Sequence, residues 1–277
     1  MNLRPDPLPD DLARALQARA ADLGSFADLR FFAEVDSTND VALTLALDGA
    51  PEGTTILAES QRAGRGRRGH TWFSPPGAGL YLSSVVRAAL AGGHLSLITI
   101  AAGVAVAEAI VTVTGLPVEL KWPNDVVVGR PWRKLAGLLG ESVGAGAVVD
   151  AVVIGIGINL RSAAYPPEIA GRATSIETEL GRAVERAPLV AELLVRLRSR
   201  VADVRDRRGA EVCDAWRRYG RAGLARASVR WHNHDLDQEH RGTTKDIDED
   251  GALLVERDGR VERLVAGDVV WDELPRE

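Results

Sequence analysis

From Leu95 to Gly115 the chain runs for roughly twenty residues with one charged side chain, Glu108. A segment so long and apolar must either cross a bilayer or have a core wrapped around it, and little else in the sequence limits the fold as strongly. It uses alanine, threonine and glycine more than leucine. Its carboxylate lies in its second half, and no basic or aromatic group flanks its end. These features predict a buried core helix, the central helix of the main domain, and no membrane partner. At 277 residues the chain is long enough for one large domain and a small appendage.

Around that helix the pattern alternates. Leu12 to Leu23 has a helical apolar period and belongs to a short helical N-terminal segment, residues 1–30. The main domain, residues 31–221, opens with a strand from Phe31 to Val35. Asp36-Ser-Thr-Asn-Asp40 then reads as a helix start, with Ser37 as the cap, Asp40 three residues on and Gly49 as the stop. Strands are expected over Thr54 to Glu59, Leu80 to Arg87, Val118 to Lys121, Leu135 to Val143 and Val148 to Ile158. After the break at Pro166-Pro167, helices are expected over Leu189 to Val204 and Ala210 to Tyr219. Near Ala222 the texture changes to short strands, Ala227 to Trp231, Arg241 to Ile247, Leu253 to Arg257 and Glu262 to Val265. Asp250-Gly251 and Asp258-Gly259 supply hairpin turns, so residues 222–277 are expected to form a small β-barrel. The fold class is thus α/β (α+β): a mixed sheet flanked by helices, plus that barrel.

Charge and cysteine usage narrow the function. A net charge of −5 gives no global field for nucleic acid, so any basic site is local. The lone Cys213 excludes an internal disulfide, and the first 25 or so residues lack the apolar core of a signal peptide; a cytoplasmic protein is expected. His232, His234 and His240 lack the spacing of a zinc site and read as surface residues.

Of 34 basic residues only three are lysines, and two of them sit close together, in Lys121-Trp-Pro-Asn-Asp125 and Lys134-Leu-Ala-Gly137. Arginine is a fixed planar fork and lysine a compact ammonium with a tunable pKa, so the choice points to chemistry. Upstream stands Gly64-Arg-Gly-Arg-Arg-Gly69; downstream, Gly155-Ile-Gly-Ile-Asn159. Gly64, Gly66 and Gly69 satisfy G-x-G-x-x-G, but Thr71-Trp-Phe-Ser-Pro-Pro76 cannot continue as the helix a dinucleotide site needs. No Walker motif occurs. Two readings of the loop remain, a solvated basic turn and a phosphate-wrapping loop carrying Arg65, Arg67 and Arg68. The second implies a loop that its ligand orders, because ordering six residues costs roughly 1–2 kcal/mol each. Gly155 and Gly157 have a structural reading too, close strand packing.

In order and spacing, Gly64-Arg-Gly-Arg-Arg-Gly69 with Trp72, Lys121-Trp-Pro-Asn-Asp125, Lys134-Leu-Ala-Gly137 with Glu141, and Gly155-Ile-Gly-Ile-Asn159 resemble the biotin protein ligases. The likeness reaches upstream to Asp36-Ser-Thr-Asn39 and Gln61, and runs from about Asp36 to the C-terminus. It implies a ligase that joins biotin to ATP, forming biotinyl-5′-adenylate and pyrophosphate, and then passes biotin to a lysine of the biotin carboxyl carrier domain of an acyl-CoA carboxylase. Biotin, ATP and Mg2+ are the implied ligands, with no ligand set for the metal.

The resemblance also implies site residues. Ser37, Thr38, Asn39 and Gln61 match the ureido end of the biotin site, Gly64, Arg65, Gly66, Arg67 and Gly137 its loop and wall, and Lys134 its carboxylate end. On the ATP side stand Arg67, Arg68, Trp72, Lys121, Asn124, Asp125 and Asn159. Bringing two anions together calls for fixed positive charge, so Lys134, Arg67 and Arg65 are the expected catalytic groups. Glu141 reads as structural. His70 stands where many relatives carry a permanently charged residue, so the loop's grip is expected to tighten as the imidazole takes its proton. Only some 30 residues precede the first strand, so no DNA-repressing helix-turn-helix is expected. A monomer or homodimer is expected. The competing readings are a lipoate-protein ligase and a non-catalytic biotin or nucleotide sensor.

Overall fold

A computed structural model describes residues 4–87, 94–145, 148–163, 165–233, 238–265, 267 and 269–273. Helices α1 (Asp10–Ala18) and α2 (Ala20–Leu23) lead into strand β1 (Leu29–Val35), helix α3 (Thr38–Leu47) and strands β2 (Thr55–Gln61) and β3 (Gly79–Val86). The long helix α4 (His94–Thr114) follows, then β4 (Glu119–Lys121), β5 (Asp125–Val128), β6 (Arg133–Ala145) and β7 (Val148–Asn159). Two short helices, α5 (Pro167–Ala170) and α6 (Ile176–Leu180), precede α7 (Arg186–Arg205), α8 (Gly209–Tyr219) and α9 (Arg221–Leu224). The C-terminal strands are β8 (Ser228–Asn233), β9 (Gln238–Ile247), β10 (Leu253–Arg257), β11 (Arg260–Leu264) and β12 (Val269–Glu273).

The first seven strands form one mixed sheet in the order β1-β2-β3-β7-β6-β5-β4. Only β1 and β2 run parallel, joined through α3; the other neighbours are antiparallel. The large core lies on one face, where α1, α4, α7 and α8 cover Leu57, Leu80, Leu82, Ile154, Ile156 and Ile158. On the other face α3 packs Val41, Ala42 and Ala46 onto Val85 and Val153, leaving the strands beside it uncovered by helix.

The apolar run is α4, long and apolar enough to span a bilayer and here sunk in that core. Its single charge is answered locally: Glu108 pairs with Arg200 of α7, and Arg200 also pairs with Asp203. The pair lies between two packed helices, where an unanswered carboxylate would carry a large desolvation cost.

Three expectations need correction. The C-terminal strands form an antiparallel sheet in the order β11-β10-β9-β8-β12, with no closed barrel: its edge strands share no pairing among the described residues. Closure requires the two edges to meet, which turn spacing cannot reveal. Strands β5 and β12 were not anticipated, the first because Pro123 signals a turn and the second because its apolar stretch is so short. The Asp258-Gly259 turn is as expected, both residues having positive φ, 50° and 73°. Ser37 occupies the cap position of α3 but its side chain makes no capping bond.

Candidate functional site

Strand β7 explains the floor of the site. Alternate residues of a strand face opposite sides, so Ile154, Ile156 and Ile158 enter the helical core while Gly155 and Gly157 face the uncovered side. Gly137 of β6 is the cross-strand partner of Gly157. A Cβ on Gly155 would lie 2.1 Å from Asn39 Oδ1, and one on Gly157 2.4 Å from the Trp72 ring. A Cβ on Gly137 would meet Trp72 Cζ3 at 2.9 Å and Lys134 Cε at 2.8 Å. The glycines therefore make room for side chains lying flat on the sheet. Close packing of the strands themselves does not explain them.

Over this floor lies a slot with an empty volume of about 440 Å³, lined in part by Ser37, Thr38, Asn39, Gln61, Arg65 and Lys134. Its polar end is a closed network. Gln61 Oε1 accepts from Thr38 N at 2.8 Å, and Gln61 Nε2 donates to Ser74 Oγ at 2.8 Å. Ser83 Oγ donates to Asn39 Oδ1 at 2.6 Å and lies 2.8 Å from Thr38 Oγ1. Asn39 Nδ2 donates to Glu141 Oε2 at 2.7 Å. Both ends of the Asn39 amide are thus held by protein, which fixes its orientation.

The basic loop has a backbone scaffold of its own. Gly66 N donates to His70 O (2.7 Å), His70 N to Arg67 O (3.0 Å) and Trp72 N to Gly64 O (2.8 Å). Gly64 has a packing role: a Cβ there would lie 2.5 Å from Trp72 O. Arg65 grips Glu141 with both ends of its fork, at 2.9 and 2.6 Å, and pairs with Asp40 at 2.7 Å. Arg67 turns the other way, donating to Asn124 Oδ1 at 3.2 Å and to Gly267 O at 3.4 Å, so it spans the loop and the C-terminal sheet. Arg68 sits exposed at the tip with φ of 53°, and lines neither this slot nor the larger cavity beside it.

That second cavity, with an empty volume of about 1420 Å³, shares Gly66, Arg67, Trp72, Asn124 and Lys134 with the slot. Lys134 stands at the junction: its Nζ lies 2.6 Å from Asp125 Oδ1 and 5.4 Å from the centre of the Trp72 ring. Asn124 pins the turn before β5, donating from Nδ2 to Leu138 O at 2.8 Å. Asn159 is buried and donates to Thr174 O at 2.9 Å, tying β7 to the segment beyond it. Lys121 lies over the Trp271 ring at 5.2 Å. Burial pushes its pKa below the ordinary lysine value, and the neighbouring Asp125 only partly offsets this. No cluster of three metal-binding side chains occurs among the described residues.

A narrow slot with a polar end and a wider cavity, meeting at one cationic junction, suit a reaction between an organic acid and a larger anion. Relatives agree with that geometry. Residues 31–159 match the biotin/lipoate A/B protein ligase family, and residues 234–271 match the biotin protein ligase C terminal domain. A biotin–[acetyl-CoA-carboxylase] ligase of Mycobacterium tuberculosis is 35% identical over 278 aligned positions, covering 97% of each chain. The chain belongs to the biotin protein ligase family. Another relative with the same description, from Paracoccus denitrificans, is 36% identical over 80% of this chain and 92% of its own. A biotin protein ligase from Aquifex aeolicus, solved in complex with biotin and ATP, superposes with a TM-score of 0.75 at 26% identity, covering 90% of this chain and 99% of that one.

Several residues of the site escaped the sequence reading: Trp132, Tyr165 and Arg172 line the wider cavity, Ser83 stands behind Asn39, and Trp271 lies under Lys121. Adjacent hydroxyls, Ser83-Ser84, inside a buried apolar strand were a usable signal. Trp271 had none, because the C-terminal sheet brings it to Lys121 from far along the chain. Nor are the three histidines a uniform surface group. His240 is buried beside Trp231 and contacts Arg257, His232 is exposed, and His234 lies outside the described residues.

Proposed function

We propose that this chain activates biotin with ATP, forming biotinyl-5′-AMP and releasing pyrophosphate, and then transfers biotin to a lysine of a biotin carboxyl carrier domain of an acyl-CoA carboxylase. The observation that carries the reading is Lys134 at the junction of a narrow slot and a wide cavity. In the first step a carboxylate oxygen of biotin attacks the α-phosphorus and pyrophosphate leaves with the bonding pair. Both reactants are anions, so the ammonium of Lys134 and the guanidinium of Arg67 stabilise the charge gathered there. Asp125 holds Lys134 in place at 2.6 Å, and Asn124 does the same for Arg67 at 3.2 Å. In the second step the lysine amine of the carrier attacks the acyl carbon, loses its proton, and AMP departs.

Trp72 forms the wall between acid and nucleotide, and Lys121 adds positive charge in the wider cavity. Magnesium bound to the triphosphate would neutralise charge on the leaving pyrophosphate. Among the described residues that line the cavities Asp125 is the one carboxylate, so phosphate oxygens and water would supply most of its coordination. The C-terminal match favours biotin over lipoate, and Lys134 favours an enzyme over a sensor. The test is mass spectrometry of products after incubation with ATP, magnesium and either acid, with and without a carrier domain. Biotinyl-5′-AMP, then a carrier lysine gaining biotin, supports the reading; a lipoyl adenylate alone, or no adenylate, overturns it.

A further inference from the structure

Glu141 is a carboxylate that bonds both the basic loop and the Asn39 amide at the polar end of the slot. It projects from β6, and each of its oxygens is engaged: Oε1 accepts from Arg65 Nη1 at 2.9 Å, and Oε2 accepts from Arg65 Nη2 at 2.6 Å and from Asn39 Nδ2 at 2.7 Å. Asn39 in turn fills the space over Gly155 and receives Ser83. Arg65 begins the loop that carries Arg67, and its second carboxylate partner, Asp40, sits on the first turn of α3 immediately after Asn39. One side chain therefore couples three separate pieces of chain: α3, the loop and β6.

We infer that Glu141 is a positioning residue for this reaction, a latch that holds the Arg65 loop closed over the acid slot while setting the Asn39 amide. The inference rests on the proposed biotin site. A two-pronged guanidinium–carboxylate pair fixes direction as well as distance, so the latch defines where the loop backbone sits above the bound acid. Neither Glu141 nor Asp40 lines the wider cavity, and Arg67 keeps its own anchors at Asn124 and Gly267, so nucleotide affinity depends far less on the latch than acid affinity does. Releasing it frees the loop and lets the Asn39 side chain turn, which weakens acid binding and speeds loss of the acyl-adenylate. Arg65, held by two carboxylates, serves as the closing arm, and Arg67 remains the phosphate-facing group.

The test is calorimetric binding of biotin to the full chain, together with the KM for ATP and the rate of trypsin cleavage after Arg67 and Arg68, sites that every variant keeps, in wild type, Glu141→Gln, Arg65→Ala and the double variant. Glu141→Gln keeps the shape and one acceptor oxygen but loses the charge. The expected result is a biotin dissociation constant raised on the order of tenfold, as for one lost charge-assisted bond, and faster loop cleavage. The KM for ATP stays within about twofold, well below the tenfold that one bond is worth. The double variant is expected to bind more tightly than the sum of the two single losses implies, because part of what Glu141 does runs through Arg65 and the rest through Asn39. Unchanged biotin affinity with unchanged cleavage overturns the latch, as does full additivity of the two substitutions. Should Glu141→Gln fail to fold, Asp40→Asn reads the same latch from its exposed side, with faster loop cleavage expected and an unchanged rate counting against it. Wild type that binds no biotin overturns the functional reading itself, whereas binding equal in wild type and variants overturns only the latch.

Discussion

Replacing Gly157 by alanine tests whether Trp72 is the wall between the two cavities. The new Cβ would stand 2.4 Å from the indole ring, where ordinary contact begins near 3.4 Å, so the ring must retreat by about 1 Å. It has no easy retreat, because Gly137 lies against the same ring and Lys134 Nζ sits 5.4 Å from its centre. Overpacking of this kind costs about 1–3 kcal/mol of stability. A displacement near 1 Å in groups that align reactants costs on the order of 10²-fold in rate. Urea unfolding, followed by biotin-dependent adenylate formation, reads both quantities in one preparation. Gly171→Ala is the matched control, since a Cβ there meets nothing within 4 Å. Stability and adenylation both indistinguishable from wild type in Gly157→Ala would refute the packing argument; a loss shared equally by the control would refute its locality.

Other consequences are as specific. Breaking the Glu108–Arg200 pair with Arg200→Leu should lower stability on the order of 3 kcal/mol, and replacing Glu108 by leucine as well should recover much of it; denaturant midpoints decide. Lys121 is held below the ordinary lysine pKa by burial, so its charge is lost at lower pH than in the unfolded chain, which then holds more protons. Between those two pKa values stability should rise with pH from this group, while affinity for ATP falls, and Lys121→Arg should abolish the fall in affinity. Biotin plus ATP should slow trypsin cleavage between Arg65 and Arg68; equal rates with and without ligand would show that the loop does not close on its substrates.

How much of this was legible depended on whether the signal was local. Apolar period revealed α4, α7 and most strands, and the glycine-arginine loop and paired lysines marked the site, because each lies within a few residues. The partners of those residues were not legible, since contacts such as Arg65 to Glu141 and Arg67 to Gly267 join positions far apart in the chain. The glycines of β7 show the same limit: their presence was plain, yet only the register Gly137 to Gly157 shows that they clear space for Trp72. Burial misled at His240, which a polar β-region suggests is exposed and which tertiary packing places beside Trp231.

The central claim is that Lys134 joins an acid slot to a nucleotide cavity, and pyrophosphate release tests it most directly. Wild type and Lys134→Ala would be compared with ATP and magnesium in the presence of biotin, lipoate or no acid. Biotin-dependent release in wild type, lower by roughly 10²–10³-fold in a folded Lys134→Ala variant, is the expected result. Release that ignores biotin, or that survives the loss of Lys134 at the wild-type rate, would contradict it.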